Sequence, residues 1–106
     1  MDVYELLEQF PDTERFALCG QIRRAIVSVP SNIAEGMGRV SNKDQAHFFN
    51  IAYGSLMEVY AQLDIAHDLG YINNEMFNQV ESDVEEISKM ISTMASLRSI
   101  APASRL

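Results

Sequence analysis

Two Asp-x-x-His pairs, Asp44–His47 and Asp64–His67, are the first places where this chain could do chemistry. A carboxylate and an imidazole three residues apart share one face of a helix. Helical bundles that hold paired metal ions use a related spacing, but they draw the pairs from different helices. Here both pairs fall on one predicted helix, 20 residues apart, which is about 30 Å along its axis. They cannot converge within one chain. With two histidines to draw on, no metal centre and no cofactor site is expected.

Other catalytic patterns are weaker still. Gly36-Met37-Gly38-Arg39-Val40-Ser41 carries two of the three glycines of a dinucleotide loop, but it follows a helix and not a strand, so it reads as a helix stop. Serines are plentiful, yet none sits in a strand-to-helix elbow. Cys19 is alone, which rules out an internal disulfide and a cysteine-rich zinc site. No catalytic residue is assigned, and the chain reads as a non-enzyme.

The remaining chemistry is charge. Arg15, Arg23, Arg24, Arg39 and Lys43 form a basic cluster in sequence. Arg23 and Arg24 are adjacent and point about 100° apart on a helix, so one can pair across helices with Glu35 or Glu58 while the other faces water. Two readings stand. In one, these groups form structural ion pairs, with Glu35 and Glu58 as partners beside the apolar stripes. In the other, Arg23, Arg24, Arg39 and Lys43 present a phosphate-contacting patch to nucleic acid. Tyr53 and Tyr60 share a stripe with Leu56 and Leu63, so they read as core or interface aromatics.

The whole chain frames these residues. Its 106 residues suit one domain, and 47% apolar content excludes disorder. The net charge of −7 argues against a general grip on nucleic acid, but the charge is segregated. Residues 44–88 carry nine acids and no Lys or Arg, whereas 21–43 and 89–106 are each net basic. The acidic start, Met1-Asp2-Val3-Tyr4-Glu5, is unlike a signal peptide. No apolar run approaches the roughly 18 residues of a membrane span. A cytoplasmic protein is expected.

Apolar spacing of three and four residues predicts helices over about 2–10, 12–37, 42–69 and 73–99. Pro11 ends the first, and Asp12 or Thr13 can cap the second. Leu18, Ile22, Ala25, Ile26, Val29, Ile33 and Met37 keep one phase across Pro30, which predicts one kinked helix; two short helices meeting at Ser28–Ser31 are the alternative. Ser41-Asn42-Lys43-Asp44 resembles a capping box. Phe49, Ala52, Tyr53, Leu56, Val59, Tyr60, Leu63 and Ala66 line the third helix, where Gly54 suggests a close crossing and Gly70 a stop. Asn73 or Asn74 caps the last helix, whose seam is Phe77, Val80, Val84, Ile87, Ile91 and Met94. The tail Ala101 to Leu106 is expected to fray. The predicted fold is all-α: one up-and-down antiparallel four-helix bundle with a shortened first helix over residues 1–106. Its apolar surplus predicts self-association.

An ordered set of motifs then becomes familiar. Phe10-Pro11 and Glu14-Arg15-Phe16 lead into Gln21-Ile22-Arg23-Arg24-Ala25, Val29-Pro30-Ser31-Asn32-Ile33-Ala34-Glu35-Gly36 and Arg39. Phe48-Phe49-Asn50-Ile51-Ala52, Gly54-Ser55-Leu56, Glu58 and Leu69-Gly70-Tyr71 follow. The chain resembles the four-helix bundle family of 23S ribosomal RNA intervening-sequence proteins over roughly residues 10–72; residues 73–106 match only as a generic heptad helix. It is similar, too, to the accessory protein of diversity-generating retroelements. The resemblance implies a bacterial, non-catalytic bundle that assembles as a homo-oligomer, typically a homopentamer. It implies association with RNA or with a nucleic-acid-processing protein; a scaffold that binds only protein is the alternative. Relatives begin several turns earlier, with a tryptophan-containing first helix, so the resemblance implies missing turns that would expose apolar surface on the other helices: either a partner chain covers it, or the chain begins at an internal start. A nucleic-acid-binding ring should be basic, and this chain is acidic; of the basic signature positions, Arg23, Arg24, Arg39 and Lys43 are present.

Overall fold

A computed structural model of the chain describes residues 15–99. The expected first helix over 2–10, its stop at Pro11, the cap at Asp12 or Thr13 and the tail Ala101 to Leu106 lie outside the described residues. A five-residue π-helical turn, Arg15–Cys19, leads into α1, Gly20–Met37. α2 spans Asn42–Asp68 and α3 spans Asn74–Ser99. The described residues are all-α, with three long helices. None of these helices is long and apolar enough to cross a membrane.

α2 is the centre of the packing. α1 and α3 each lie along it and scarcely touch one another. The core between them takes Ile22 and Ala25 from α1, Phe49, Ala52, Leu56, Val59, Leu63 and Ala66 from α2, and Phe77, Val80, Val84 and Ile91 from α3. These positions recur at three and four residues, so each helix buries one stripe. Two members of the predicted stripes fall outside. Met37, the last residue of α1, is 62% exposed, and Tyr53 is 38% exposed because α2 buries only the arc that faces α1 and α3.

α1 runs without interruption through Pro30, as one helix rather than two. Proline has no N–H to give the Ile26 carbonyl, a loss of about 3 kcal/mol in an isolated helix. Pro30 is on the exposed side, and apolar residues before and after it pack on the same core, which offsets that loss. Asn32 braces the same turn. Its Nδ2 donates to the Ser28 carbonyl at 2.8 Å and to Ser28 Oγ at 2.9 Å, and Ser28 Oγ meets Ser55 Oγ of α2 at 2.7 Å.

The close crossing is at Gly36, not Gly54. A Cβ on Gly36 would stand 2.7 Å from Phe49 Cε1 and 3.2 Å from the Gln45 carbonyl oxygen, whereas one on Gly54 would meet nothing within 4 Å. Gly36 is therefore a packing residue inside α1, and Gly38 forms the cap, its N–H reaching the Ala34 and Glu35 carbonyls at 3.2 Å.

The connections follow local chemistry. Ser41 Oγ accepts the Asp44 N–H at 3.1 Å and starts α2. Gly70 ends it at φ +83°, a left-handed conformation that glycine adopts without penalty. Tyr71 N–H then reaches the Ala66 carbonyl at 2.9 Å and Gly70 N–H the His67 carbonyl at 3.0 Å, a Schellman closure. Asn73 starts α3, its Oδ1 accepting the Met76 N–H at 2.8 Å.

Candidate nucleic-acid interface

The basic residues singled out in the sequence fall into two groups. Arg23 and Arg24 lie in the first turn of α1 and are both exposed. Arg39 and Lys43 flank the α1–α2 turn, 16 residues further on in the case of Arg39, about 24 Å away at 1.5 Å per residue. The fold does not bring the four into one patch.

At the α1–α2 turn, the structure adds a third cation. Arg98, in the last turn of α3, reaches the same end of the molecule. Its Nε donates to Gln45 Oε1 at 2.9 Å and its Nη1 to the Met94 carbonyl at 3.0 Å, while its guanidinium lies 4.9 Å from the centroid of the Phe49 ring. Gln45 also donates from Nε2 to the Arg39 carbonyl at 2.8 Å. The Arg39 guanidinium stands 4.6 Å from the centroid of the Phe48 ring and pairs with Glu35 at 2.5 Å. One amide thus ties the turn to α3, and two neighbouring phenylalanines carry one arginine each. Lys43 is exposed beside them.

Helix polarity favours cations here. α1 and α3 both end at this face, so two carbonyl-rich C-termini meet one N-terminus, that of α2. Arg98 is far from Arg39 in sequence, and only the packing of α3 on α2 brings the two together. A basic residue in the last helical turn was the signal that could have found it.

The ion pairs differ from expectation. Glu35 does pair with an arginine, but with Arg39 one turn away on an exposed surface and not across helices. Such a pair contributes little, of the order of 0.3–0.5 kcal/mol. Glu58 is exposed and has no ion pair among the described residues.

The opposite end of α2 carries acids and aromatics. His67 stacks on Phe77, with centroids 4.5 Å apart and planes 4° from parallel, and its Nε2 meets Asn74 Oδ1 at 2.5 Å. Tyr60 stacks on the same phenylalanine at 5.8 Å. Phe77 therefore receives one ring from each of two positions a heptad apart on α2. The Tyr60 hydroxyl donates to Glu81 Oε2 at 2.7 Å. That hydrogen bond raises the phenol above its ordinary value of 10.0, with burial and the charges of Glu81 and Asp64 adding in the same direction. Asp64, His67 and Asp68 place three donor atoms within 4.8 Å of one another. Proximity alone defines this cluster, and Asn74 and Phe77 already engage the imidazole. Of the other pair, Asp44 gives its backbone N–H to the Ser41 cap, and His47 packs edge-on to Phe48 at 5.2 Å.

The family model described as 23S rRNA-intervening sequence protein matches residues 1–93, and the chain belongs to that family. No curated protein matches the chain.

Proposed function

We propose that this member of the 23S rRNA-intervening sequence protein family is a non-catalytic accessory protein that contacts structured RNA at the α1–α2 turn. The observation that carries the reading is the cation group Arg39, Lys43 and Arg98 on one face, with both guanidinium groups held over phenylalanine rings. A braced guanidinium loses less side-chain freedom when it meets a phosphate than one that is free. The family name supports ribosomal RNA as the partner class. The acidic total is no obstacle, because of the nine acids of residues 44–88 only Asp44 lies at the α1–α2 turn; Glu58, Asp64 and Asp68 lie further along α2, and the other five fall in the first half of α3.

The same reading takes the molecule to be a four-helix bundle that assembles with copies of itself. Val27, Ile51, Ile65, Met90 and Leu97 are between 38% and 63% exposed, more apolar surface than three helices shed by packing on each other. A second reading, a scaffold that binds protein and not RNA, draws on that same surface.

Binding to structured RNA across a salt series separates the two. The RNA reading expects log affinity to fall linearly with log salt, and an Arg39→Gln, Lys43→Gln variant to reduce the slope by about 2, one for each lost phosphate contact. Arg23→Gln should leave the slope unchanged. Absence of wild-type binding at low salt would overturn the RNA reading in favour of the scaffold.

A further inference from the structure

A groove runs along the outer side of the α2–α3 seam, lined by Met57, Tyr60, Glu81, Ser82, Val84 and Glu85. Its floor is apolar: Val84 is buried and Met57 half-buried. Its rim is acidic, with Glu81 and Glu85 exposed along α3; Glu81 accepts the Tyr60 hydroxyl with one oxygen, and Glu85 makes an exposed ion pair with Lys89 at 3.3 Å, a weak contact that a second cation can share. The lining residues include no lysine or arginine, and Lys89 stands one turn beyond Glu85. Such a surface suits a long side chain with an apolar stem and a cationic head.

The chain itself carries the complement. Arg24, Val27, Ser31 and Ala34 follow one another at three- and four-residue spacing along the outward side of α1, and all four are exposed. Arg24 has no ion pair among the described residues. Val27, one turn further on, is 54% exposed, and Ser31 and Ala34 are small enough for another helix to approach closely. α1 meets α2 through Gln21–Gln62 and Ser28–Ser55, whereas the groove opens beside Met57 and Tyr60 on the α3 side. Stripe and groove therefore occupy different sides of the molecule, and Arg24 cannot reach its own groove.

We infer that the α2–α3 groove receives the α1 stripe of a second copy of this chain, with Arg24 set against Glu81 and Glu85 and Val27 over the Met57–Val84 floor. The inference rests on the self-assembly proposed above and names the surfaces that meet. Because the two surfaces differ, the contact is head-to-tail, and repetition produces a ring or a filament. It also assigns the two arginine groups different work: Arg24 joins copies, while Arg39, Lys43 and Arg98 are left to meet phosphate.

Sedimentation of the full chain at micromolar concentration tests the pairing, with helix content followed by circular dichroism. Wild type should assemble, and assembly should weaken with salt. Arg24→Glu should weaken it at least tenfold, and so should the double variant Glu81→Lys, Glu85→Lys, with Arg24→Gln intermediate. Mixing Arg24→Glu with Glu81→Lys, Glu85→Lys should restore assembly, because each variant supplies the surface the other lacks; a variant that had merely misfolded could not be rescued in this way. A wild type that is monomeric throughout would overturn self-assembly and the pairing together. Reversal variants that assemble as well as wild type, or a mixture that stays apart, would overturn the pairing and leave self-assembly standing.

Discussion

The two ends of α2 are fastened by different physics. At its start, a glycine lets α1 lie against Phe49, and arginines from the turn and from α3 stack on Phe48 and Phe49. At its finish, Phe77 of α3 is held between Tyr60 and His67, and polar groups close the periphery through Glu81 and Asn74. The first end has its cations braced on rings, with Arg39 also paired to Glu35 and Arg98 bonded to Gln45 and the Met94 carbonyl; the second has its acids outward and its polar side chains bonded to one another. A bundle whose ends differ in this way can contact a polyanion with one and a cationic surface with the other. Net charge, which averages the two, is a poor guide to either.

The largest effect expected from this comparison is at the aromatic end. Phe77 is 7% exposed and carries two stacked neighbours. Phe77→Ala removes a large buried side chain and strands both α2 rings, so a loss of about 4 kcal/mol in unfolding free energy is expected. Urea denaturation measures it. A loss below about 1 kcal/mol would mean that the two rings seal the end without Phe77, and that the hydrogen bonds of Tyr60 and His67 hold α3 in place.

Much of this asymmetry was legible in the sequence, though not all. Three- and four-residue spacing located α2 and α3 within a residue or so, and Ser41, Gly70 and Asn73 marked their boundaries, because caps are local chemistry. The two glycines were misassigned, since a glycine's role depends on what lies opposite it, and sequence does not show that Phe49 faces Gly36. Arg23, Arg24, Arg39 and Lys43 are near one another along the chain, yet most of the length of α1 separates the pairs. Arg98, far away in sequence, is the residue that the fold brings to Arg39 through Gln45. The Asp64–His67 pair was recognised, but its engagement by Phe77 and Asn74 depends on the tertiary packing of α3.

The glycines supply a test of intermediate size at the other end. Gly36→Ala should lower stability by about 2 kcal/mol, since the added methyl meets the fully buried Phe49 ring at 2.7 Å, and overpacking of this kind outweighs the helix-propensity gain. Gly54→Ala, with open space around it, should instead raise stability by about 1 kcal/mol. Opposite signs in the two denaturation midpoints are the expected result. A stabilising Gly36→Ala would show that α1 can move away from Phe49, and the loop end would then be the softer of the two.

The smallest effect is a dependence on alkaline pH confined to the aromatic end. Tyr60 holds its proton above the ordinary value of 10.0 because its hydroxyl donates to Glu81 and faces the charge of Asp64. The folded chain binds that proton more tightly than the unfolded chain does. The linked stabilisation is complete below pH 10 and disappears as pH rises through the folded-state value. Tyr60→Phe removes the linkage and keeps the ring on Phe77. Wild type should therefore lose more stability than Tyr60→Phe between pH 9 and the alkaline side of that transition, and the phenolate absorbance missing from the variant should be the component that titrates late. Parallel stability curves for the two proteins would remove Glu81 as the hydroxyl's partner. The aromatic end would then be held by stacking alone, and Glu81 would be free to meet a cation in the groove.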